Sequence, residues 1–322
     1  MPDKFQTHLL TLPIEVAGLR LDQALAGQLP QYSRSLLQRW LRDGAIALDG
    51  KAARASARVA GGEAVVVRAA PAIDTRVTAE DIALNLVHED RSLLVIDKPA
   101  GMVVHPGAGN RTHTLQNALL AHDPKLARVP RAGLVHRLDK DTSGLLVVAR
   151  TPAVHAKLVA ALQAHQIGRE YLALCAGLPT GGATIDRPIG RHRTHRTRMA
   201  VRADGREAVT HYTLEERFRG HTLLRVRLET GRTHQIRVHL SHAGIPVFGD
   251  PDYGGRARAL SGASAALRAL MSDFRRQALH ACRLTLIHPV SGKELHFEAP
   301  LPADLRALLT ALRADARAAG KK

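Results

Sequence analysis

Aromatic residues make up only 3% of this 322-residue chain: five phenylalanines, four tyrosines and one tryptophan. Proteins that read bases by stacking need aromatic platforms, so any nucleic-acid contact here must rest mainly on charge and shape. Cysteine is nearly absent, with only Cys175 and Cys282, each inside an apolar run. Two such thiols in so long a chain exclude a disulfide-built fold and suit a reducing cytoplasm. Long apolar runs are missing as well. No stretch is long enough to cross a bilayer and the amino terminus has no apolar signal segment, so no membrane partner is expected. The last shortage is of acid: 29 Asp and Glu face 46 Lys and Arg, a formal net charge of +17 with a pI near 10.9. That imbalance implies a polyanionic partner, nucleic acid before an anionic membrane.

What is present supports a real core. The hydrophobic fraction is 45%, and the length allows one large domain with a small one. Eighteen histidines invite a metal reading. No HExxH and no Cys/His ligand spacing accompanies them, so no metal is expected.

Residues 1–16 show no clear element. From Arg20 to Val67 the chain reads as one small unit. Leu21, Ala24 and Leu25 form a helical face that stops at Leu29-Pro30. Ser33 is placed to cap a second helix carrying Leu36, Leu37, Trp40 and Leu41 and closed by Gly44. A hairpin follows around Asp49-Gly50, then a strand over residues 64–67. Arg34, Arg39 and Arg42 lie on the outer side of the second helix, either as a solvated face or as phosphate ligands. This order resembles the S4-like RNA-binding module. Tyr32 and Trp40 are its only aromatics and Trp40 reads as core, so the module is expected to grip phosphate and shape rather than sequence.

The segment 70–82 reads as a linker, and a second core begins near Leu84. Residues 93–96 suggest a strand, Asp97 to Gly101 a turn, residues 102–104 another strand, and 115–120 a helix. The loop from His105 to Asn110 lacks the Gly-Lys-Ser/Thr ending of a phosphate loop. Farther on, residues 153–164 form an amphipathic helical pattern, and Gly168-Arg169-Glu170-Tyr171 opens a strand to Ala176. Tyr171 taken alone reads as ordinary strand packing. The run RPIGRHRTHRTRMAVR, residues 187–202, is the densest basic stretch and reads as an exposed hairpin. Its Arg191, Arg193, Arg196 and Arg198 are candidates for a nucleic-acid backbone. Antiparallel strands are expected over 209–215 and 223–228. Thr233 is placed to cap a helix carrying Ile236, Arg237 and Leu240 and ending at Gly244. Further strands at 277–287 and 294–298 precede a closing helix at 302–312 and a frayed basic tail, 313–322.

The organising stretch is GLVHRLDKDTSGLLVVAR, residues 133–150. Leu145 to Val148 is a short branched apolar run, suited to a strand buried on both faces. Just ahead of it stand His136, Arg137, Asp139, Lys140 and Asp141. A carboxylate set among cations favours its ionised form and can act as nucleophile or base. The same charges could equally be a solvated surface turn.

HRLDKDTSG is similar to the signature of the RluA group of pseudouridine synthases, with Asp139 at the catalytic aspartate. DKPAGMVVHPG, GREY, GRTHQIR and GDPDYG match further motifs of the group, in the same order, and the likeness spans residues from about 19 to about 310. The resemblance implies an α+β protein. An S4-like domain over 17–69 and a linker over 70–82 would precede a catalytic domain over 83–312 built on a bent, mostly antiparallel mixed sheet. It implies isomerisation of uridine to pseudouridine in RNA by a cofactor-free enzyme, acting as a cytoplasmic monomer. Asp139 would be the covalent catalyst, Arg237 its ion-pair partner, and Tyr171 the residue against the uracil. Arg137 would enter the base stack when the target flips out. The runs PRAGLVHRLDKDTSG, RHRTHRTRMAV and LETGRTHQIRVH resemble members acting on the large ribosomal subunit. They point to 23S rRNA, at the helix 69 stem-loop of the subunit interface, and to ribosome maturation. Two other classes are open: a non-catalytic RNA-binding assembly factor, and a His/Asp hydrolase using His136, His105 and Asp139.

Overall fold

The computed structural model describes residues 6–30, 32, 34–69, 77–107, 110–254 and 260–319. It divides the chain into two units between residues 76 and 77.

The first unit comprises β1 (Gln6–Thr11), α1 (Leu21–Gln28), α2 (Arg34–Arg42), β2 (Ile46–Leu48), β3 (Lys51–Ala52) and β4 (Ala64–Ala69). Its antiparallel sheet has the order β1-β4-β2-β3. The expected helical faces supply the core: Leu21, Leu25, Leu37 and Leu41 are buried with Ile46, Val65 and Val67. Strand β1 falls where the sequence shows no element. It pairs along β4 but leaves Leu9 exposed, so no apolar alternation marks it. Ser33, the expected cap of α2, lies outside the described residues. Asp22 joins the two helices. Its side chain is fully buried and accepts from Arg20 Nε at 3.1 Å, Arg34 Nη2 at 2.9 Å and Gln38. Trp40 is core, as expected, and Tyr32 packs edge-on against it, with its hydroxyl 2.7 Å from His8 Nε2.

In the second unit the chain forms β5 (Leu86–Glu89), β6 (Leu93–Lys98), α3 (Leu115–His122), β7 (Ser143–Ala149), α4 (Pro152–Gln163) and β8 (Gly168–Ala176). There follow β9 (Ala183–Asp186), β10 (Ile189–Arg191), β11 (Met199–Val201), β12 (Val209–Arg217), β13 (His221–Leu228) and α5 (Gln235–His242). The last elements are α6 (Ala265–Asp273), β14 (Leu279–Ile287), β15 (Glu294–Glu298) and α7 (Ala303–Ala319). The main sheet runs β5-β6-β7-β14-β8-β13-β12-β9, with β15 also on β14. Among the described residues only β7 and β14 of this sheet pair in parallel, so the sheet is mixed and mostly antiparallel.

Every residue of β7 is buried. Leu146 and Val148 face a core shared with Leu94, Ile96 and Leu119, whereas Leu145 and Val147 face Val154 and Leu158 of α4. Burying each of these aliphatic side chains contributes about 2 kcal/mol, which fixes the strand that the Asp139 loop leads into. Gly144 makes that entry possible. Its φ is +113°, and a Cβ there would meet the Ala281 carbonyl oxygen at 2.2 Å.

Four expectations change in the structure. Residues 102–104 form no strand, only a bridge from Val103 to Thr114. Their carbonyls are satisfied otherwise: that of Met102 accepts from Lys98 Nζ at 2.9 Å, and those of Val103 and Val104 accept from the Leu115 and Gln116 amides at 2.8 and 3.1 Å. Residues 77–82 lie against the larger core, with Val77 packed on it and the Thr78 carbonyl accepting from Asn117 Nδ2 at 2.8 Å. The closing helix continues through Ala319 rather than fraying at residue 313. Arg313 pairs with Glu216 and Asp315 with Arg219, which anchors the extra turns. Thr233 is not the cap of α5. That place is taken by His234, in the left-handed region at φ 57°, with no side-chain capping bond.

Candidate active site

Asp139 sits on a loop whose backbone is tied from several sides. Lys98, with no exposed surface, donates from Nζ to the Lys140 carbonyl at 3.0 Å, and the Gly101 amide donates to that oxygen at 2.9 Å. The Thr142 amide donates to the Asp139 carbonyl at 3.1 Å, and Gln277 Nε2 donates to Thr142 Oγ1 at 3.1 Å. Burial brings the Lys98 ammonium down to about 7, against the pull of Asp141 and Asp139. The loop therefore presents its carboxylate from a rigid frame.

Arg237 reaches that carboxylate from the first turn of α5. Nη1 donates to Asp139 Oδ2 at 3.1 Å, although the two are 98 residues apart in the chain. The rest of the guanidinium is spoken for. Nε and Nη2 make a two-point pair with Asp250 at 2.7 and 2.9 Å, and Nη2 also donates to Asp252 at 2.9 Å. The plane lies 4.9 Å from the centre of the Tyr253 ring. Burial opposes the charge of Arg237, which is only 4% exposed, but Asp250 and Asp139 outweigh it and hold it protonated. Bidentate pairing of this kind fixes direction as well as charge.

Tyr171 enters from β8, a central strand flanked by β14 and β13. It is buried, and it lines the same cleft as Asp139 and Arg237. Burial pushes its phenol up, Arg169 opposes that, and Asp139 adds to it. Arg137 is exposed at the cleft, with no carboxylate in pairing range among the described residues. The cleft holds about 1240 Å³, more than the roughly 300–1,000 Å³ of a small-molecule pocket. It is open to solvent.

The hydrolase arrangement is not assembled. His136 Nε2 accepts from the Val147 amide at 3.2 Å, and burial pushes this imidazole down to about 3, with Arg169 adding to the effect. It is a neutral structural ring. Burial likewise brings His105 to about 4. Among the described residues no group of three or more His, Cys, Asp or Glu could hold a metal ion.

The basic candidates divide. Residues 189–201 form the expected hairpin, β10 against β11. Arg191, Arg193 and Arg196 are exposed on it, with Arg191 Nη1 donating to the Arg196 carbonyl at 2.7 Å. Arg198 is half-buried and 3.7 Å from Asp252. In the first unit Arg39 and Arg42 are exposed, whereas Arg34 is committed to buried Asp22, so its first role is to fasten α2.

Sequence reasoning missed four groups that complete the site. Asp250, Asp252 and Tyr253 all surround Arg237, and GDPDYG, matched as a motif of the group without roles for these side chains, was their signal. Lys98 was concealed in a turn read for its proline and glycine. Both cysteines are buried free thiols, as expected. Among the described residues no helix is long and apolar enough to cross a membrane.

Residues 92–242 match the family model described as RNA pseudouridylate synthase, and residues 19–65 match the S4 domain. The chain is 54% identical over 309 residues to ribosomal large subunit pseudouridine synthase D of Xanthomonas campestris, covering 96% of this chain and 93% of that protein. It is 52% identical over 307 residues to the protein of the same name in Pseudomonas aeruginosa, covering 95% and 96%. Human RNA pseudouridylate synthase domain containing 4 shares the fold with a TM-score of 0.56 at 27% identity, over 71% of this chain and 93% of that one. With that agreement along nearly its whole length, the chain belongs to the RNA pseudouridine synthase family and carries an S4 domain ahead of its catalytic domain.

Proposed function

We propose that this protein isomerises uridine to pseudouridine in large-subunit ribosomal RNA, with Asp139 as its covalent catalyst, at the helix 69 stem-loop. The observation that carries the reading is the Asp139–Arg237 pair: a partly accessible carboxylate at the cleft, oriented by a buried guanidinium that three carboxylates share. An RNA-binding assembly factor without chemistry has no use for so complete a clamp.

The reaction conserves atoms. The N1–C1′ bond of the target uridine breaks, the uracil rotates, C5 bonds to C1′, the C5 proton leaves and N1 gains one. The Asp139 carboxylate acts on the ribose. Arg237 keeps one carboxylate oxygen engaged and leaves Oδ1 toward the substrate. Tyr171, its phenol held protonated by burial, offers a hydroxyl and a ring face to the detached uracil. Extruding a base costs a few kcal/mol. Arg137, exposed beside the cleft, fills the vacated place in the stack. Arg191, Arg193, Arg196 and Arg198 on the hairpin, and Arg39 and Arg42 on the S4 domain, neutralise phosphates along the RNA. The enzyme acts as a monomer in the cytoplasm.

The test is incubation of purified protein with unmodified large-subunit RNA, followed by mapping of pseudouridine at nucleotide resolution. The reading expects modification confined to the helix 69 loop. Modification of other RNA classes only would overturn the substrate, and none at all under conditions that preserve folding would overturn the activity.

A further inference from the structure

Arg237 holds one oxygen of Asp139. The other has its own neighbour, and that neighbour is built with care. His234 Nε2 lies 3.9 Å from Asp139 Oδ1. On the opposite side of the ring, Nδ1 is 2.7 Å from the Tyr253 hydroxyl. That hydroxyl already accepts from the Met199 amide at 2.9 Å. Its own proton is free to go to His234, an arrangement in which Nδ1 accepts and Nε2 carries the imidazole proton. In that tautomer the N–H faces the carboxylate oxygen that Arg237 does not hold. The His234 backbone is in the left-handed region, at φ 57°, which is strained for a non-glycine residue. No side-chain capping bond offsets that strain. What the conformation does achieve is placement of the ring, edge-on to Tyr253 with centroids 5.6 Å apart.

We propose that His234 and Tyr253 are positioning residues for the reaction: Tyr253 fixes the His234 tautomer, and the resulting Nε2–H orients the free oxygen of Asp139. This rests on the reading of Asp139 as the reacting carboxylate. At 3.9 Å the contact is too long for a hydrogen bond. Catalytic hydrogen bonds commonly tighten once substrate is bound, and a shift of about 1 Å would close this one. Neutrality matters, since a protonated imidazole would draw the Asp139 proton affinity down and weaken it as a nucleophile. Burial lowers the His234 pKa, Asp139 and Asp252 oppose that, and Arg237 and Arg137 reinforce it.

The chain also explains why Tyr253 sits where it does. It packs against a cluster of Ile189, Ala208 and Val238, which Met199 and Val201 of the basic hairpin also join. Its carbonyl accepts from Ser241 Oγ at 2.7 Å. Hydrogen bonds from Met199 to Tyr253 and between Tyr253 and His234 therefore link the hairpin to the ring that faces Asp139.

The experiment uses the full-length protein. Tyr253→Phe keeps the ring and removes the hydroxyl, His234→Gln keeps an N–H donor without a titratable ring, and His234→Ala keeps neither. Single-turnover rates and RNA affinity are measured beside wild type and Asp139→Asn. The expected result is a fall of about tenfold in rate for Tyr253→Phe, the scale of one hydrogen bond, with RNA Kd within about twofold. His234→Gln should be faster than His234→Ala. Nitrogen-15 NMR of the imidazoles, with His234 assigned from the His234→Gln spectrum, should show the Nε2–H tautomer in wild type and its loss in Tyr253→Phe. A ring found as the Nδ1–H tautomer in wild type overturns the proposal even where a variant fails to fold. Wild-type rates in folded Tyr253→Phe and His234→Ala, with Asp139→Asn inactive, overturn it alone. Turnover by Asp139→Asn overturns the reading beneath it.

Discussion

Asp250 holds Arg237 by two parallel hydrogen bonds, 2.7 Å to Nε and 2.9 Å to Nη2, and this leaves Nη1 as the nitrogen that meets Asp139. The direction of the guanidinium is set by a carboxylate whose side chain is fully buried. Arg237→Lys keeps the charge but cannot span three carboxylates, so the single-turnover rate should fall by at least 100-fold. Arg237→Met should also unfold more readily, by about 3–5 kcal/mol in denaturant titration, because it leaves buried Asp250 unpaired. Near-wild-type rates for Arg237→Lys would show that charge alone suffices.

Arg137 is exposed beside the carboxylate, without an acidic partner among the described residues. Arg137→Ala should therefore slow modification of a stacked or paired uridine more than that of a uridine in an unstructured strand, where extrusion is nearly free. Rates on the two RNAs, measured with the same protein, check this. Equal losses would place Arg137 in general binding instead.

The first unit has its own core, and the division falls between residues 76 and 77. Removing residues 1–76 should leave a folded, cooperative second unit. Affinity for structured RNA should fall, with a shallower dependence of log Kd on log salt, because Arg39 and Arg42 no longer neutralise phosphates. An unchanged slope would show that the S4 domain does not grip this RNA.

Asp22 gives the first unit a pH signature. Burial disfavours its charge, but hydrogen bonds from Arg20, Gln38 and Arg34 outweigh that and hold the carboxyl at about 2. A depressed carboxyl contributes stability that is complete above its unfolded value of 3.8 and is lost as pH falls through about 2. The contribution is about 1–2 kcal/mol after screening. Denaturant titrations of residues 1–76 should show that loss between pH 4 and 2 in wild type and its absence in Asp22→Asn.

What could be read from the sequence follows from how local each signal is. The β7 run was legible because burial on both faces leaves a continuous apolar stretch. Asp139, Tyr171 and Arg237 were legible through motifs, since each lies within a contiguous signature. Asp250 and Tyr253 act on Arg237 and His234 through loop contacts, and spacing along a chain does not encode those. The left-handed His234 displaced the expected Thr233 cap for the same reason: its ring meets Tyr253, 19 residues farther on, and makes no capping bond to the helix. Arg34 looked like its neighbours Arg39 and Arg42, and only the fold reveals the buried Asp22 beneath it. The last turns of α7 are held by Arg313–Glu216 and Arg219–Asp315, pairs about a hundred residues apart in the chain.

The central claim is that Asp139 performs the chemistry and adds little to RNA binding. Asp139→Asn preserves size and shape while removing the charge. The decisive measurement is release of tritium from large-subunit RNA labelled at uracil C5, run beside filter binding on the same protein. The account predicts that Asp139→Asn releases no tritium above background and binds RNA as tightly as wild type or slightly more so, because a negative group facing a polyanion is gone. Release by well-folded Asp139→Asn at a rate near wild type would contradict both the site and the mechanism.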